Sequence, residues 1–275
     1  MKKISKRALK KISNKLRLSL ALLLSFSLCL VGCGATKDID DSFGEDFVPV
    51  MAGVQETTQS GTSSGGNTNG KKRVAITYDD GPHTTRTVAI VDELKKYGFH
   101  ATFFVVGNRV DGTKYGGGQA MLYAVEAGNE IAIHGYTHGV YYHNCSDSVY
   151  EYELSQTVKA IQSVKSGYNP RLMRPIGGNI TGERVSSCPY SVIMWSVDSQ
   201  DWKNAHVDGG VDKIVNNVMS TVKDGDIILM HDIYENTYEA SKIILKQLYE
   251  EGYEVVTVSE LLGNDLAAGK KYSKR

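Results

Sequence analysis

Two adjacent carboxylates end an apolar run in the segment TYDDGP at 77–82. Neighbouring side chains on a strand point to opposite faces, so Asp79 and Asp80 can take two different roles. Farther along, His134 and His138 in the segment HGYTH are spaced i and i+4, which predicts both imidazoles on one side of a helical turn. Two histidines at this spacing are often surface residues, so the pair gains meaning only together with a carboxylate.

A metal site is the chemistry that these residue types favour in combination. Two imidazole nitrogens and one carboxylate oxygen can hold a divalent metal and leave positions open for water and substrate. Asp80 is the natural third ligand beside His134 and His138. Asp79 is then free to take a proton from a water that the metal acidifies.

A third histidine, His231, follows the apolar run at 227–230 and is a candidate proton donor. A carboxylate such as Asp201 nearby would favour its imidazolium form, so that it could protonate a leaving amine. The alternative is a strand-end histidine bonded to a backbone carbonyl. We favour the acid, because groups with perturbed pKa values gather at functional sites.

Short β-rich runs alternate with helical segments from residue 73 onward. The predicted strands are 73–78, 102–106, 130–134, 171–174, 191–195, 226–230 and 254–257. The predicted helices are 85–97, 119–127, 146–166, 210–223, 238–251 and 259–262. This alternation predicts an α/β fold with a parallel sheet, and the loop-like link 177–190 indicates an irregular barrel.

The chemically interesting residues share one place on this scaffold, the carboxyl ends of the predicted strands, where barrels of this kind build their active sites. They are Asp79, Asp80, His134, His138, Arg174, Asp198, Asp201, Trp202, His231 and Asp232.

The first 32 residues are typical of a bacterial lipoprotein signal peptide. Residues 1–17 carry eight Lys or Arg and no acid, and 18–30 form an apolar run too short for a standard membrane span. The run ends in LVGC at 30–33, which resembles a lipobox, so Cys33 is the expected lipidation site. The alternative is an ordinary signal peptide with an incidental cysteine.

Residues 33–72 show no hydrophobic periodicity and are rich in Gly, Ser and Thr, which predicts a flexible tether after the lipidated cysteine. Residues 1–32 hold eight of the 31 basic and none of the 31 acidic side chains, so the remainder is acidic and a poor nucleic-acid binder. Cys145 and Cys188 could form a disulfide outside the cell or remain two separate thiols.

Five motifs in order resemble those of the NodB-homology polysaccharide deacetylases, carbohydrate esterase family four, over residues 71–262. The motifs are TYDDGP (77–82), HGYTH (134–138), RPIGG (174–178), DSQDW (198–202) and LMH (229–231). The resemblance implies a distorted (β/α)7 barrel, in agreement with the strand count. It divides the chain into a signal peptide (1–32), a lipidated tether (33–72), a deacetylase domain (73–263) and a polar C-terminal tail (264–275).

The resemblance also implies a role for each matched residue. It makes Asp79 the catalytic base and His231 the acid, with Arg174 and Asp201 as their partners, and it makes Asp80, His134 and His138 the metal ligands. Trp195 is similar to a groove-wall residue, Leu229 to a residue of the acetyl-methyl pocket, and Gly177 supplies an oxyanion-binding N–H. The family usually has Ser or Thr where Gly135 stands and an aromatic residue where Gly177 stands.

The implied reaction is metal-assisted hydrolysis of an N-acetyl group, which releases acetate and leaves an amino sugar. Zinc is the expected metal, with cobalt, manganese or iron as alternatives. A lipid-anchored domain on the extracellular face of a bacterial membrane faces the cell's own wall, so N-acetylglucosamine in peptidoglycan is the expected substrate. Chitin oligosaccharides and acetylated xylan are the alternatives. We expect a monomer that does not bind nucleic acid.

Two other classes of protein are also compatible with the sequence. One is a wall-binding lipoprotein that keeps the fold without turnover, which the altered third motif would allow. The other is an iron oxygenase, because two histidines and one carboxylate also suit iron. The paired aspartates, His231 and the βα alternation argue against the oxygenase.

Overall fold

The computed structural model describes residues 70–112, 116–263 and 266–275 of the chain. Nine strands occur among these residues. They are β1 (Lys72–Asp79), β2 (Thr102–Val105), β3 (Glu130–Ile133), β4 (Leu172–Met173), β5 (Ser191–Ile193), β6 (Val197–Asp198), β7 (Ile227–His231), β8 (Tyr253–Val255) and β9 (Lys271–Tyr272).

Nine α-helices occur in the same part of the chain. They are α1 (Arg86–Lys96), α2 (Gly107–Val110), α3 (Gly118–Glu126), α4 (Asp147–Val164), α5 (Gly182–Ser187), α6 (Asp201–Asn204), α7 (Gly210–Met219), α8 (Glu235–Glu250) and α9 (Val258–Leu262). A 3₁₀ turn, Ile176–Gly178, follows β4.

The strands form one sheet in the order β6-β7-β1-β2-β3-β4-β5-β9, and β8 pairs with the beginning of β1. Neighbouring strands along this path pair in parallel. Because β6 and β9 end the path, the described residues form a parallel half-barrel of the α/β class. All carboxyl ends of the strands therefore open on one side.

Strand β1 shows how the sequence builds the two layers of the core. Val74, Ile76 and Tyr78 pack in the larger apolar cluster, which also holds residues of α1, α3, α4, α7 and α8. Ala75 faces the other way, into an inner cluster that includes the helix α9. Because successive side chains alternate, Thr77 and Asp79 share the inner face with Ala75. Both faces are buried, which explains why the run reads as continuously apolar.

Each of the seven predicted strands coincides with an observed strand, and each of the six predicted helices coincides with an observed helix. Strands β6 and β9 were not predicted, because strands of two residues are too short to show an alternation of apolar and polar side chains. The link 177–190 was predicted as a loop, whereas it contains α5, whose first turn is capped by the Thr181 side chain. The barrel is irregular, as the sequence indicates. Strands β6 and β9 do not pair, and one isolated antiparallel bridge between Asp226 and Lys274 spans the gap.

The expected signal peptide, the lipidation site Cys33 and the tether up to residue 69 lie outside the described residues. In the part of the chain that is described, no helix is both long and apolar enough to cross a membrane. The expected polar tail differs from the structure, because residues 266–275 carry β9, which pairs with β5.

Cys145 and Cys188 are free thiols in the structure. Both pack in or against one apolar cluster, where Cys188 is buried and Cys145 is partly buried. Burial raises the pKa of the Cys188 thiol above its ordinary value. Of the two alternatives that the sequence allowed, the structure therefore has the separate thiols.

Candidate active site

Three predicted ligands, Asp80, His134 and His138, meet at the carboxyl end of the half-barrel. Their ligand atoms all lie within 4.8 Å of one another. Asp80 Oδ1 is 2.8 Å from Nε2 of His138 and 3.3 Å from Nε2 of His134. The two imidazole centroids are 5.5 Å apart. The sequence therefore identified three residues that the fold brings together from two separate loops.

The donor set fits a divalent metal. Asp80 Oδ1 is buried and has no hydrogen-bond donor among the described residues when both rings carry their proton on Nδ1. Three lone pairs then face one point, which is unfavourable unless a cation lies between them. With metal–ligand bonds of about 2.0 Å, the edges of a tetrahedral site are about 3.3 Å, close to the two distances measured here.

His134 is held in the tautomer that a metal ligand needs. Its Nδ1–H donates to the carbonyl oxygen of Arg174 over 2.9 Å, which leaves the lone pair of Nε2 directed at Asp80. Burial would raise the pKa of Asp80, but the two histidines outweigh that effect and hold the pKa well below its usual range. The carboxylate is therefore ionised and ready to bind a cation.

The backbone explanation for the two neighbouring aspartates is wrong in one respect. Asp79 is the last residue of β1, but Asp80 lies beyond the strand with a φ of 71°. This left-handed conformation turns Asp80 back, so both carboxylates line the same groove instead of opposite faces. Their roles differ because their partners differ: Asp80 faces two histidines, and Asp79 faces an arginine.

The expected helical turn at 134–138 is also absent. Gly135 has a φ of 98° and His138 a φ of 58°, both outside the helical region for L residues. An irregular loop brings the two rings together instead. The i, i+4 spacing thus pointed to two histidines that the fold does bring together, but for the wrong local reason.

Asp79 forms a buried ion pair with Arg174. Arg174 Nη1 donates over 2.7 Å both to Asp79 Oδ1 and to the hydroxyl of Thr77, and the whole arginine side chain is 0% exposed. Its remaining nitrogens donate to the carbonyl oxygens of Ile193 and Met194, each over 3.0 Å. The arginine therefore fixes Asp79 in one orientation.

Asp79 also faces the metal site. Its second oxygen, Oδ2, lies 3.7 Å from Nε2 of His134. The carboxylate thus has one oxygen committed to Arg174 and one directed at the place where the metal ligands converge. That is the geometry required of a base acting on a water at the metal.

His231 and Asp201 form a second buried pair at the end of β7, the strand next to β1. His231 Nδ1–H donates to Asp201 Oδ1 over 2.7 Å, and the backbone N–H of His231 donates to Oδ2 over 2.6 Å. Asp201 also accepts from the Thr237 hydroxyl and from the Trp202 backbone N–H. The Nε2 of His231 remains as the nitrogen that can serve a substrate in the groove.

The environment keeps His231 protonated. Burial works to lower its pKa, but the hydrogen bond and charge of Asp201, together with the charges of Asp80 and Asp79, raise the pKa to about 9. A bound dication would offset the contributions of Asp79 and Asp80, whereas the contribution of Asp201 would remain. The imidazolium form is thus the stable form at neutral pH.

An open groove of about 370 Å³ runs over these groups. The predicted site residues that line it are Asp79, Asp80, His134, His138, Gly177, Trp195, Leu229 and His231. Arg174 and Asp201 lie behind the groove, both fully buried. The groove is also lined by two half-exposed aromatic side chains, Tyr141 and Trp202.

The comparisons with known proteins agree with this site. A family model described as polysaccharide deacetylase matches residues 66–190. The peptidoglycan-N-acetylmuramic acid deacetylase PdaC of Bacillus subtilis is 38% identical over 191 residues, which are 70% of this chain and 39% of that protein. A peptidoglycan-N-acetylglucosamine deacetylase of Bacillus cereus is 38% identical over 202 residues, 70% of this chain and 90% of that protein.

The chain belongs to the polysaccharide deacetylase family. A solved structure of PdaC matches it with a TM-score of 0.64, covering 70% of this chain and 90% of that one. A family 4 acetyl xylan esterase from Clostridium thermocellum, solved in complex with a cobalt ion, matches with a TM-score of 0.65 at 28% identity and covers 74% of this chain and 98% of that one. The chain spans well under half the length of the full PdaC protein.

Sequence reasoning on this polysaccharide deacetylase missed several residues that support the site. Thr77 and Asp79 both accept a hydrogen bond from Arg174 Nη1. The two residues are two positions apart on β1 and so lie on the same face of the strand, which is the sequence signal that could have identified Thr77. Glu153 lies on α4 and accepts three hydrogen bonds from the loop between His134 and His138. No sequence motif around Glu153 indicates this contact.

Asp232 was noted at a strand end and given no role. It is fully buried and accepts a hydrogen bond from the Thr87 hydroxyl. Burial, with the nearby charge of Asp80, raises the pKa of Asp232 to about 7. Its side chain packs against Gly81, where even a Cβ would collide with it. Asp232 therefore supports the turn that follows the two aspartates.

Proposed function

We propose that this protein is a metal-dependent hydrolase that removes N-acetyl groups from N-acetylglucosamine residues of peptidoglycan and releases acetate. The observation that carries the proposal is the arrangement in one groove of Asp79, His231 and the Asp80–His134–His138 ligand set. A base, an acid and a Lewis-acid site together can hydrolyse an unactivated amide without a covalent intermediate.

The proposed base and acid stand at the ends of the neighbouring strands β1 and β7, where Asp79 and His231 are register partners. Asp79, held by Arg174, takes the proton of the attacking water as its oxygen approaches the acetyl carbon. His231, held by Asp201, gives its Nε2 proton to the departing sugar nitrogen, so that the amide C–N bond breaks to a neutral amine. His231 begins in the protonated form that its step needs.

The remaining parts stabilise the charge that develops on the acetyl oxygen. A divalent metal in the Asp80–His134–His138 site, with zinc preferred and cobalt or manganese able to replace it, would acidify the water and polarise the carbonyl. The Gly177 N–H at the groove is the proposed second donor to that oxygen. Leu229 and Trp195 line the groove where they can contact the acetyl methyl group and the sugar.

The substrate is inferred from the names of the relatives and from the groove. Two of the relatives described above are named for peptidoglycan, one for each of its two N-acetylated sugars. The exposed rings of Tyr141 and Trp202 give the groove two aromatic surfaces on which a sugar ring can stack. A structural relative named for acetyl xylan makes xylan the alternative substrate, and there an ester would be cut.

We also propose that the domain works at the extracellular face of the bacterial membrane, anchored through a lipid on Cys33. The support is the order of basic, apolar and LVGC segments at the beginning of the sequence. Labelling of cells with a fatty-acid analogue tests the proposal: the full-length protein should carry the label and Cys33→Ser should not. A labelled Cys33→Ser protein would contradict it.

The function itself is tested by measuring acetate release by the full-length chain loaded with zinc. Peptidoglycan, an N-acetylglucosamine oligomer and acetylated xylan are compared, with Asp79→Asn as the matched variant. We expect release from peptidoglycan, continuing without oxygen, and a loss of about 10²- to 10⁴-fold in Asp79→Asn, the range of a general base. Zinc binding should be retained, because Asp79 is not one of the three ligands.

The other outcomes of this experiment distinguish the alternatives. Release from the oligomer alone would move the substrate to chitin-like sugars, and release from xylan alone would make the protein an esterase. No release from any of the three by zinc-loaded protein would favour a wall-binding protein without turnover.

A further inference from the structure

The loop between the two histidine ligands has no secondary structure of its own to hold it. Residues 134–138 follow β3 and contain two positive φ values, at Gly135 and His138. The His138 side chain is 42% exposed, so little packing fixes it from outside. Something else in the fold must determine where His138 lies relative to His134.

Glu153, on the second turn of α4, contacts this loop directly. Its Oε2 accepts the backbone N–H of Tyr136 over 2.6 Å and that of Thr137 over 2.9 Å. Its Oε1 accepts the Thr137 hydroxyl over 2.7 Å. All three donors belong to the two residues next to His138 on the side of His134.

The burial of Glu153 shows that this contact is not incidental. The residue is 2% exposed, and no Lys, Arg or His of the described residues lies within ion-pair distance of its carboxylate. A buried carboxylate is costly unless hydrogen bonds compensate the lost solvation. Here the loop supplies that compensation, so the loop and the carboxylate each depend on the other.

Gly135 excludes a local alternative to Glu153. A Cβ at this position would lie 2.8 Å from the Tyr142 hydroxyl oxygen and 3.3 Å from Glu153 Oε2, and the φ of 98° strains any residue with a side chain. A side chain at 135 therefore has no room to hold the loop from within. The support has to come from outside the loop. The backbone N–H groups of Gly107 and Asn108 on α2 donate to the carbonyl oxygens of Gly135 and Tyr136 over 2.9 and 3.0 Å. Glu153 on α4 supplies the acceptors for the N–H groups of Tyr136 and Thr137.

We propose that Glu153 is a positioning residue that sets the geometry of His134 and His138 for metal binding. The proposal rests on the metal site of the proposed function. It assigns to this helix a role in the site that none of the five sequence motifs contains. Glu153 touches neither the metal nor the substrate, and it acts through Tyr136 and Thr137.

The test compares Glu153→Leu with Glu153→Gln in the full-length chain. Leucine removes all three acceptors, whereas the glutamine oxygen can still accept both N–H groups and its amide can donate to the Thr137 hydroxyl. Zinc affinity is measured by competition with a chromophoric chelator. We expect a loss of about 10- to 100-fold in Glu153→Leu, the range for residues that orient metal ligands, and recovery of most of it in Glu153→Gln.

Two further readouts do not depend on activity. The visible absorption spectrum of the cobalt-loaded protein reports the ligand geometry, and it should change in Glu153→Leu but not in Glu153→Gln. Hydrogen exchange of the Tyr136 and Thr137 amides in metal-free protein should be fast only in Glu153→Leu. Unchanged exchange at both amides, or an unchanged zinc affinity, would overturn the proposal.

The matched control is Ile161→Ala, about two turns farther along the same helix. Ile161 is fully buried in the larger apolar cluster, so its truncation lowers the melting temperature. Zinc affinity and the cobalt spectrum should stay at parent values. If Ile161→Ala weakens zinc binding as much as Glu153→Leu, the effect is general destabilisation and the proposal is wrong.

A variant with a smaller perturbation covers the case in which Glu153→Leu does not fold. Thr137→Val removes one of the three donors and keeps the shape of the side chain, so zinc binding should weaken by less than in Glu153→Leu. A Thr137→Val protein with parent zinc affinity and parent cobalt spectrum would then count against the proposal. The parent titration separates the two hypotheses: zinc binding without acetate release contradicts the proposed function and leaves the role of Glu153 standing.

Discussion

Arg174 and Asp201 hold the candidate base and the candidate acid in opposite ways. Both are 0% exposed. Arg174 is a buried cation that donates to Asp79, to the Thr77 hydroxyl and to two backbone carbonyls. Asp201 is a buried anion that accepts from His231, from the Thr237 hydroxyl and from two backbone N–H groups.

The difference teaches how the fold assigns the charge of each proton-transfer group. The candidate base is an anion that faces a cation, and the candidate acid is a cation that faces an anion. Each buried partner is also held by hydrogen bonds that do not involve the candidate base or acid. The catalytic residues could exchange protons during turnover and return to the same state, because their partners do not change.

The largest effect should follow from removing the cation on the base side. In Arg174→Met the carboxylate of Asp79 stays buried without its partner, which costs about 3–5 kcal/mol of stability for a broken buried pair. Acetate release should fall by about 10²-fold or more, because Asp79 loses its orientation. Urea unfolding measures the first effect, and acetate release by the remaining folded protein measures the second.

Arg174→Lys is the matched control for that prediction. Lysine keeps the charge and loses the fork that reaches Thr77, Asp79 and the two carbonyls together. We expect stability between that of the parent and that of Arg174→Met. An Arg174→Met protein as stable and as active as the parent would show that Asp79 does not depend on the charge of Arg174.

The next effect in size concerns the acid side and its pH dependence. The pKa of His231 is raised to about 9, mainly through Asp201 once burial is overcome, so the imidazolium is present at neutral pH and is lost above pH 9. In Asp201→Asn the pKa should fall towards the ordinary value of about 6.5. The alkaline limb of kcat/KM should move down with it, and activity at pH 7.5 should drop about tenfold.

The same shift has a consequence for stability that does not involve the reaction. A folded-state pKa above the unfolded value stabilises the protein fully below pH about 6.5, and the contribution is lost as pH rises through about 9. Metal-free parent protein should therefore become easier to unfold by urea between these values. Asp201→Asn should show a flatter profile, and an alkaline limb at the same pH in both proteins would contradict the role of Asp201.

The smallest effect should come from the aromatic wall of the groove. The Tyr141 ring lies beside Gly177, where an added Cβ would be 3.5 Å from Tyr141 Cε1. Tyr141→Ala should raise KM for peptidoglycan by about 2- to 10-fold with little change in kcat, the range of one aromatic contact. Tyr141→Phe should behave as the parent, and a fall in kcat at constant KM in Tyr141→Ala would place Tyr141 in the chemistry instead.

How much of this could be predicted depends on which residues lie next to each other in sequence. The strand ends at Asp79, His134 and His231 follow from the apolar runs before them, and parallel strands bring such ends together whatever lies between. The metal ligands and both proton-transfer groups could therefore be proposed from the sequence. Their partners Arg174 and Asp201 also lie at strand ends, and the resemblance to the family paired them correctly with Asp79 and His231.

The parts that could not be predicted depend on tertiary contacts. Glu153 lies in the middle of a helix whose sequence gives no sign that one carboxylate points inward at a loop. The left-handed backbone conformation of Asp80 and His138 is imposed by tertiary packing. Neither residue adopts this conformation as readily as glycine does, so the sequence does not indicate it. Tyr141 is one of several tyrosines after His138, and only the fold places it beside Gly177.

Strand β9 has a consequence for the association of the domain with other protein chains. Without it, β5 would present an open row of N–H and C=O groups, which is a template for pairing with another chain. β9 covers that edge with only two residues, flanked by Lys270 and Lys274, and both its shortness and its charge discourage a further strand from adding. The last residues described thus protect the open half-barrel against association edge to edge.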